Sequence, residues 1–112
     1  YLPGEVERVA AFAKHIYFNS PDQVRAYLPV VRRHPNVKVG LRINPGYSNA
    51  TLGGPLYDPC APYSRFGATP EMLDDAPWDD IDILHAHALC EACHDGSAGL
   101  IAHVAKTFAP HV

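Results

Sequence analysis

The chain reads as an α/β fold with parallel strands alternating with helices. Three observations predict this. Short strand-like runs recur between segments of helical spacing. The second run alternates apolar and polar residues along its length. The third run, Ile81-Asp82-Ile83-Leu84, passes directly into the polar cluster His85-Ala86-His87-Ala88-Leu89-Cys90-Glu91. In a strand, alternate side chains share a face, so His85 and His87 point the same way. Sites in such folds lie at the carboxyl ends of the strands.

The elements follow in order. Residues 5–14 place Val6, Val9, Ala10 and Ala13 at helical spacing, and Ile16-Tyr17-Phe18 is a short strand. Ser20-Pro21-Asp22-Gln23 starts a second helix, with Ser20 as N-cap, Pro21 at the first helical position and Gln23 completing a capping box. Pro29 is expected to end or kink it after about two turns. A turn over residues 32–36 leads to a strand over 37–43, with Val37, Val39, Leu41 and Ile43 on one face and Lys38, Gly40 and Arg42 on the other. Residues 44–63 have no periodicity and are rich in proline and glycine. A loop of that length inside a compact domain is usually functional or disordered. Thr69-Pro70-Glu71 caps a short helix, residues 74–80 turn, and residues 81–87 form the third strand. Asp95-Gly96-Ser97 opens the last helix, with Leu100, Ile101, Val104 and Phe108 as its buried stripe.

Strands separated by helices pair in parallel through right-handed crossovers. Two architectures remain open: a doubly wound sheet, or part of a (β/α) barrel. A complete barrel needs about 250 residues, so 112 residues would supply less than half of one.

Composition limits the partners. The net charge of −3 argues against nucleic acid or an anionic membrane. No apolar run approaches the roughly 20 residues of a membrane span, and no signal peptide is visible. Three cysteines, an odd number, fit a reduced, cytoplasmic setting better than a disulfide framework. The chain starts at Tyr1 rather than methionine, as a fragment or processed product would.

Several residues could carry chemistry. His85, His87, Cys90, Cys93 and His94 contain enough nitrogen and sulfur for four-coordinate zinc, although Cys-x2-Cys zinc sites usually sit on knuckles with a second ligand pair elsewhere. The structural alternative is core histidines with inert buried thiols. Arg42 interrupts an apolar strand near its carboxyl end and must find a partner if buried; a structural ion pair or an edge position would satisfy it. Arg65 follows the long loop and could equally be a surface residue. Nucleophile-elbow, P-loop and dinucleotide motifs are absent from the sequence.

Four motifs occur in one order: Gly40-Leu41-Arg42-Ile43-Asn44-Pro45, Leu56-Tyr57-Asp58-Pro59-Cys60-Ala61-Pro62, Ser64-Arg65-Phe66-Gly67, and His85-x-His87-x-Leu89-Cys90-Glu91. Together with Phe18-Asn19-Ser20 they closely resemble the carboxynorspermidine/carboxyspermidine decarboxylases. That family is similar to the alanine racemase-like decarboxylases, which include the ornithine and diaminopimelate enzymes. The resemblance covers nearly the whole chain and settles on one of the two architectures: residues 1–112 would be an internal segment of a (β/α)8 TIM barrel, about three parallel strands of it. It implies pyridoxal 5'-phosphate as cofactor, a carboxylated triamine as substrate, norspermidine or spermidine as product, and a homodimer when full length.

By position, the resemblance implies that His87 stacks on the cofactor ring, that Arg42 faces the cofactor from its strand, that Arg65 lies near the ring, and that Cys90 lies near the phosphate. His85 and Glu91 receive no role. Ala86 replaces an aromatic residue of the family, and Tyr63 replaces a glycine that would be needed if φ there is positive. The lysine that anchors the cofactor has no match among Lys14, Lys38 and Lys106, and the glycine-rich phosphate loop has none either. The segment is therefore expected to be inactive alone, and its open sheet edges make it prone to aggregate. A diaminopimelate or other basic amino acid decarboxylase, a small zinc-binding module and a non-catalytic gene remnant are the competing readings.

Overall fold

The computed structural model describes residues 1–48, 58–61, 63–88 and 94–112. Six regular elements appear in chain order: α1 (Glu5–Ala10), β1 (His15–Phe18), α2 (Pro21–Val31), β2 (Lys38–Ile43), β3 (Ile83–Ala86) and α3 (His94–Phe108). Short 3-10 turns lie at Pro70–Met72, Trp78–Asp80 and Ala109–His111. The strands form one parallel sheet in the order β1-β2-β3.

The register sorts the side chains. Ile16 pairs with Val39 and Phe18 with Leu41, while Leu41 and Ile43 pair with Leu84 and Ala86. These residues share one face. They join Val6 and Ala10 of α1, Val24 and Val31 of α2, and Phe108 of α3 in a single core cluster. The other face carries His15, Tyr17, Lys38, Gly40, Arg42, Ile83 and His85. A doubly wound sheet buries helices against both faces, whereas a barrel wall is covered on the outside alone. Among the described residues, helices cover one face of the sheet, as they would in an arc of a (β/α) barrel. Each fully buried Leu, Ile or Phe on the covered face contributes about 1.5–3 kcal/mol.

Local chemistry fixes the strand ends. The Ser20 hydroxyl accepts from the Gln23 N–H at 3.3 Å, so Ser20 caps α2 as expected, but Gln23 Oε1 accepts from the N–H of Asn19, one residue before the N-cap, at 2.9 Å, rather than from Ser20 as in a capping box. Asp82 accepts from Lys38 Nζ at 2.7 Å and from the Val39 N–H at 2.9 Å, which sets the β2–β3 register. The same hydrogen bonds hold the Asp82 carboxyl below the usual carboxylate range. At the carboxyl end of β2, Ala68 takes a parallel bridge position beside Ile43. Its N–H donates to Arg42 O at 2.9 Å, and its carbonyl accepts from the Asn44 N–H at 2.8 Å. Gly67 precedes it at φ +90°, and a Cβ there would meet the Ile43 carbonyl carbon at 2.5 Å. Only glycine fits this approach.

Four sequence expectations need correction. Pro29 lies inside α2, which runs on to Val31. The proline removes one donor in the last turn, and packing of Val31 into the core carries the helix past it. The first helix stops at Ala10, because the chain must turn before entering β1 at His15. The third strand is shorter than residues 81–87: Ile81 closes a 3-10 turn by donating to Trp78 O at 3.1 Å. In α3, Leu100 and Phe108 are buried and Val104 packs on the core, but Ile101 is 68% exposed. That helix faces one sheet surface, so only a narrow stripe is covered.

Tyr63 has φ +69° and its side chain is fully exposed. A left-handed conformation at a non-glycine residue costs about 1–3 kcal/mol, against about 0.5–1 kcal/mol for the chain entropy that a glycine adds. Tyr63→Gly is expected to stabilise the fold by about 1 kcal/mol, read as a higher urea midpoint at unchanged slope. An unchanged or lower midpoint would contradict the strain.

Candidate functional site at the carboxyl ends of the strands

The uncovered sheet face ends in a hollow. Tyr17, Phe18, Asn19, Arg42 and His85 line a cavity of about 490 Å³ at the carboxyl ends of the strands. A second cavity of about 440 Å³ adjoins it, sharing Tyr17, Asn19 and Arg42 and adding Arg65, Phe66, Tyr1, Gln23 and the acid Glu5, whose carboxylate accepts from the Leu2 N–H at 2.9 Å. Alternation along β1 turns Tyr17 into this space between buried Ile16 and Phe18. Its ring lies over Gly40, where an added Cβ would be 2.2 Å from Tyr17 Cδ1. The absence of a side chain at Gly40 gives the tyrosine its place.

Arg42 is the Cα partner of His85 across β2 and β3. It is neither on an edge strand nor in an ion pair among the described residues. Its Nε is buried and has no hydrogen-bond partner. A buried unpaired donor is costly unless a ligand completes it. The Arg42 guanidinium carbon lies 4.6 Å from the Phe66 ring centre, and that of Arg65 lies 4.4 Å from the same centre. One aromatic ring thus holds two cations by cation–π contact. Arg65 too makes no ion pair among the described residues.

His85 packs edge-on against Tyr17, with ring centres 5.4 Å apart. Burial, the adjacent Arg42 guanidinium and His87 together push its pKa below the ordinary histidine value. The shift favours the neutral imidazole, in which one nitrogen donates and the other accepts. His87 lies one residue beyond β3, and it is exposed. Ala86 turns away from the histidines and packs against the core, as alternation requires. Cys60 is buried beside this end of β3, with its sulfur 3.6 Å from His87 O.

An arginine with an orphaned buried donor and a second arginine on a shared ring give this cavity the chemistry of an anion site. The chain is similar to several known proteins. The chain is 33% identical over all 112 residues to carboxyaminopropylagmatine decarboxylase of Synechocystis sp., covering 28% of that protein. It is 34% identical over 91 residues, 81% of its length, to carboxynorspermidine/carboxyspermidine decarboxylase of Campylobacter jejuni, covering 22% of it. It is 33% identical over 87 residues to the enzyme of the same name from Herminiimonas arsenicoxydans. Over most of its length the chain is similar to a segment of the carboxynorspermidine/carboxyspermidine decarboxylases.

The crystal structure of carboxynorspermidine decarboxylase from C. jejuni, complexed with norspermidine, superposes with a TM-score of 0.78 over 98% of this chain and 26% of that one. At 24% identity this likeness is one of fold. The chain spans about a quarter of the length of the decarboxylases it matches. No protein-family model matches it.

Of the site residues expected from sequence, the fold brings Arg42 and Arg65 onto one ring and sets His87 just past β3. Cys90, Glu91 and Cys93 lie outside the described residues, so two of the five candidate zinc ligands do too. Among the described residues, no group of three or more His, Cys, Asp or Glu side chains could hold a metal ion. Sequence reasoning assigned no role to Tyr17, Asn19 or Phe66. An aromatic residue alternating with buried ones, and facing a glycine on the next strand, was the available signal for Tyr17.

The histidine environment is testable. His85 is expected to titrate below about 6.5, and Arg42→Met should move its pKa upward in an NMR titration. Because the folded value is depressed, protonation favours the unfolded chain. This contribution to stability is intact above the ordinary histidine value and is lost as pH falls below it. A His85 pKa that does not respond to Arg42→Met would contradict the pairing.

Proposed function

We propose that this chain is an internal segment of the cofactor-binding barrel of a pyridoxal-phosphate-dependent decarboxylase that converts carboxynorspermidine or carboxyspermidine to norspermidine or spermidine. The observation that carries the reading is the buried, unpartnered Nε of Arg42, in a cavity whose second cation, Arg65, also lacks an acidic partner among the described residues. His87, Arg42, Arg65 and Cys90 would hold the cofactor. When bound, pyridoxal phosphate supplies the sink for the electrons released as carbon dioxide leaves.

The chain's own residues bind and orient. Arg42 is rooted in the central strand, so its charge sits on rigid backbone and needs no reorganisation to meet an anion. Arg65 adds a second fixed cation through Phe66. Tyr17 and Phe66, both partly open to solvent, give the cavity aromatic walls. The matched lengths favour a longer protein supplying the anchoring lysine and the phosphate loop, and a homodimer is the assembly this reading expects. The match of the whole chain to 28% of a carboxyaminopropylagmatine decarboxylase supports a wider substrate class of carboxylated polyamines.

The test is carbon dioxide release by the longer protein that carries this segment, reconstituted with pyridoxal phosphate. Turnover is expected with at least one of carboxynorspermidine, carboxyspermidine and carboxyaminopropylagmatine. His87→Ala and Arg42→Ala should each lower kcat/KM by about tenfold or more, roughly 1.4 kcal/mol or more. The 112-residue chain alone should give none. Turnover of diaminopimelate with no activity on the three polyamine substrates would overturn the assignment.

A further inference from the structure

Asn19 joins two parts of the chain that are far apart in sequence. Its Nδ2 donates to Arg65 O at 2.7 Å, and its Oδ1 accepts from the Gly67 N–H at 2.8 Å. The two bonds bracket Phe66, the residue between them. Asn19 is itself held by the first turn of α2, through its N–H to Gln23 Oε1. Ala68, the next residue along, is tied to Arg42 O and to the Asn44 N–H. The backbone carrying Phe66 is therefore pinned from β1 on one side and from β2 on the other. Phe66 is the ring on which both guanidiniums rest.

We propose that Asn19 is a positioning residue for anion binding: its clamp on Arg65 and Gly67 fixes Phe66 so that Arg42 and Arg65 present their charges to the same cavity. Amide geometry explains why asparagine occupies the position. The clamp needs one donor and one acceptor on a short, planar group, and asparagine supplies both. Aspartate offers only acceptors and would face the Arg65 carbonyl with like partial charge. Alanine or leucine would leave a backbone N–H and a carbonyl without their partners. Without the clamp, Phe66 is free to move, and the arginines lose the surface that holds them together. Two long cationic side chains must then be ordered by the ligand itself, which weakens binding.

The inference rests on the proposed cofactor reading and is tested with pyridoxal phosphate as the probe. The apo form of the longer protein is titrated with pyridoxal phosphate, followed by absorbance and tryptophan fluorescence. Hydrogen exchange at the Gly67 amide and the melting temperature are measured in parallel. Asn19→Ala is expected to raise the dissociation constant by about tenfold, to speed Gly67 exchange, and to leave the melting transition cooperative. Asn19→Asp, nearly isosteric, covers the case in which the alanine variant does not fold. It should keep Gly67 protected, because its oxygen still accepts, and yet bind the cofactor more weakly, because the donor to the Arg65 carbonyl is lost. Wild-type protein that fails to bind pyridoxal phosphate removes the cofactor reading and this inference with it. Wild-type binding matched by equally tight binding in whichever Asn19 variant folds overturns the inference alone and leaves the cofactor reading standing.

Discussion

Because side chains alternate along a strand, Val39, Leu41 and Ile43 can be packed under helices only if Lys38, Gly40 and Arg42 are turned the other way. The other structural facts depend on that constraint. α1, α2 and α3 all send their apolar residues to the same side of the sheet, so the other side gains no helix cover. The side chains left there include Tyr17 from β1, Arg42 from β2, and Ile83 and His85 from β3. A hollow at the carboxyl ends of the strands follows from one-sided packing, and the residues lining it are those the alternation leaves over.

The charges in that hollow are held in place by backbone rather than by acids. Arg42 sits on the middle strand, and Ala68 extends the hydrogen-bonding pattern of that strand beyond the end of β1. Gly67 is needed because its Cα passes too close to the Ile43 carbonyl for any side chain. Phe66 then lies where two guanidiniums can rest on one ring. An acid in the same place would neutralise the arginines and leave nothing for an anionic ligand to replace. An aromatic ring orders them and leaves their charge available.

Much of this was legible in the sequence. The period-2 pattern of residues 37–43 assigned both faces of β2 correctly. Ser20-Pro21-Asp22-Gln23 predicted the start of α2 residue by residue, and the swap at Tyr63 pointed to a left-handed position before any coordinates. Arg42 and His87 stood out as polar residues at strand ends. Other features depended on distance in sequence. The Asn19 clamp spans 46 and 48 residues, and no local pattern encodes a side chain that meets backbone so far away. Ile101 was expected to be buried because it falls on the apolar stripe of α3, yet the helix meets only one sheet surface and uses a narrower arc. Pro29 was expected to stop a helix that the burial of Val31 continues. In both cases tertiary packing decided where local propensity suggested otherwise.

The central claim is that the uncovered face is a built cofactor site. The most direct measurement is a crystal structure of the longer protein carrying this segment, grown with pyridoxal phosphate. The account predicts cofactor density at the carboxyl ends of β2 and β3, with Arg42 Nε or its guanidinium within hydrogen-bond distance and the His87 ring alongside. Density seated on the helix-covered side, or a cofactor site remote from Arg42, Phe66 and Arg65, would contradict it.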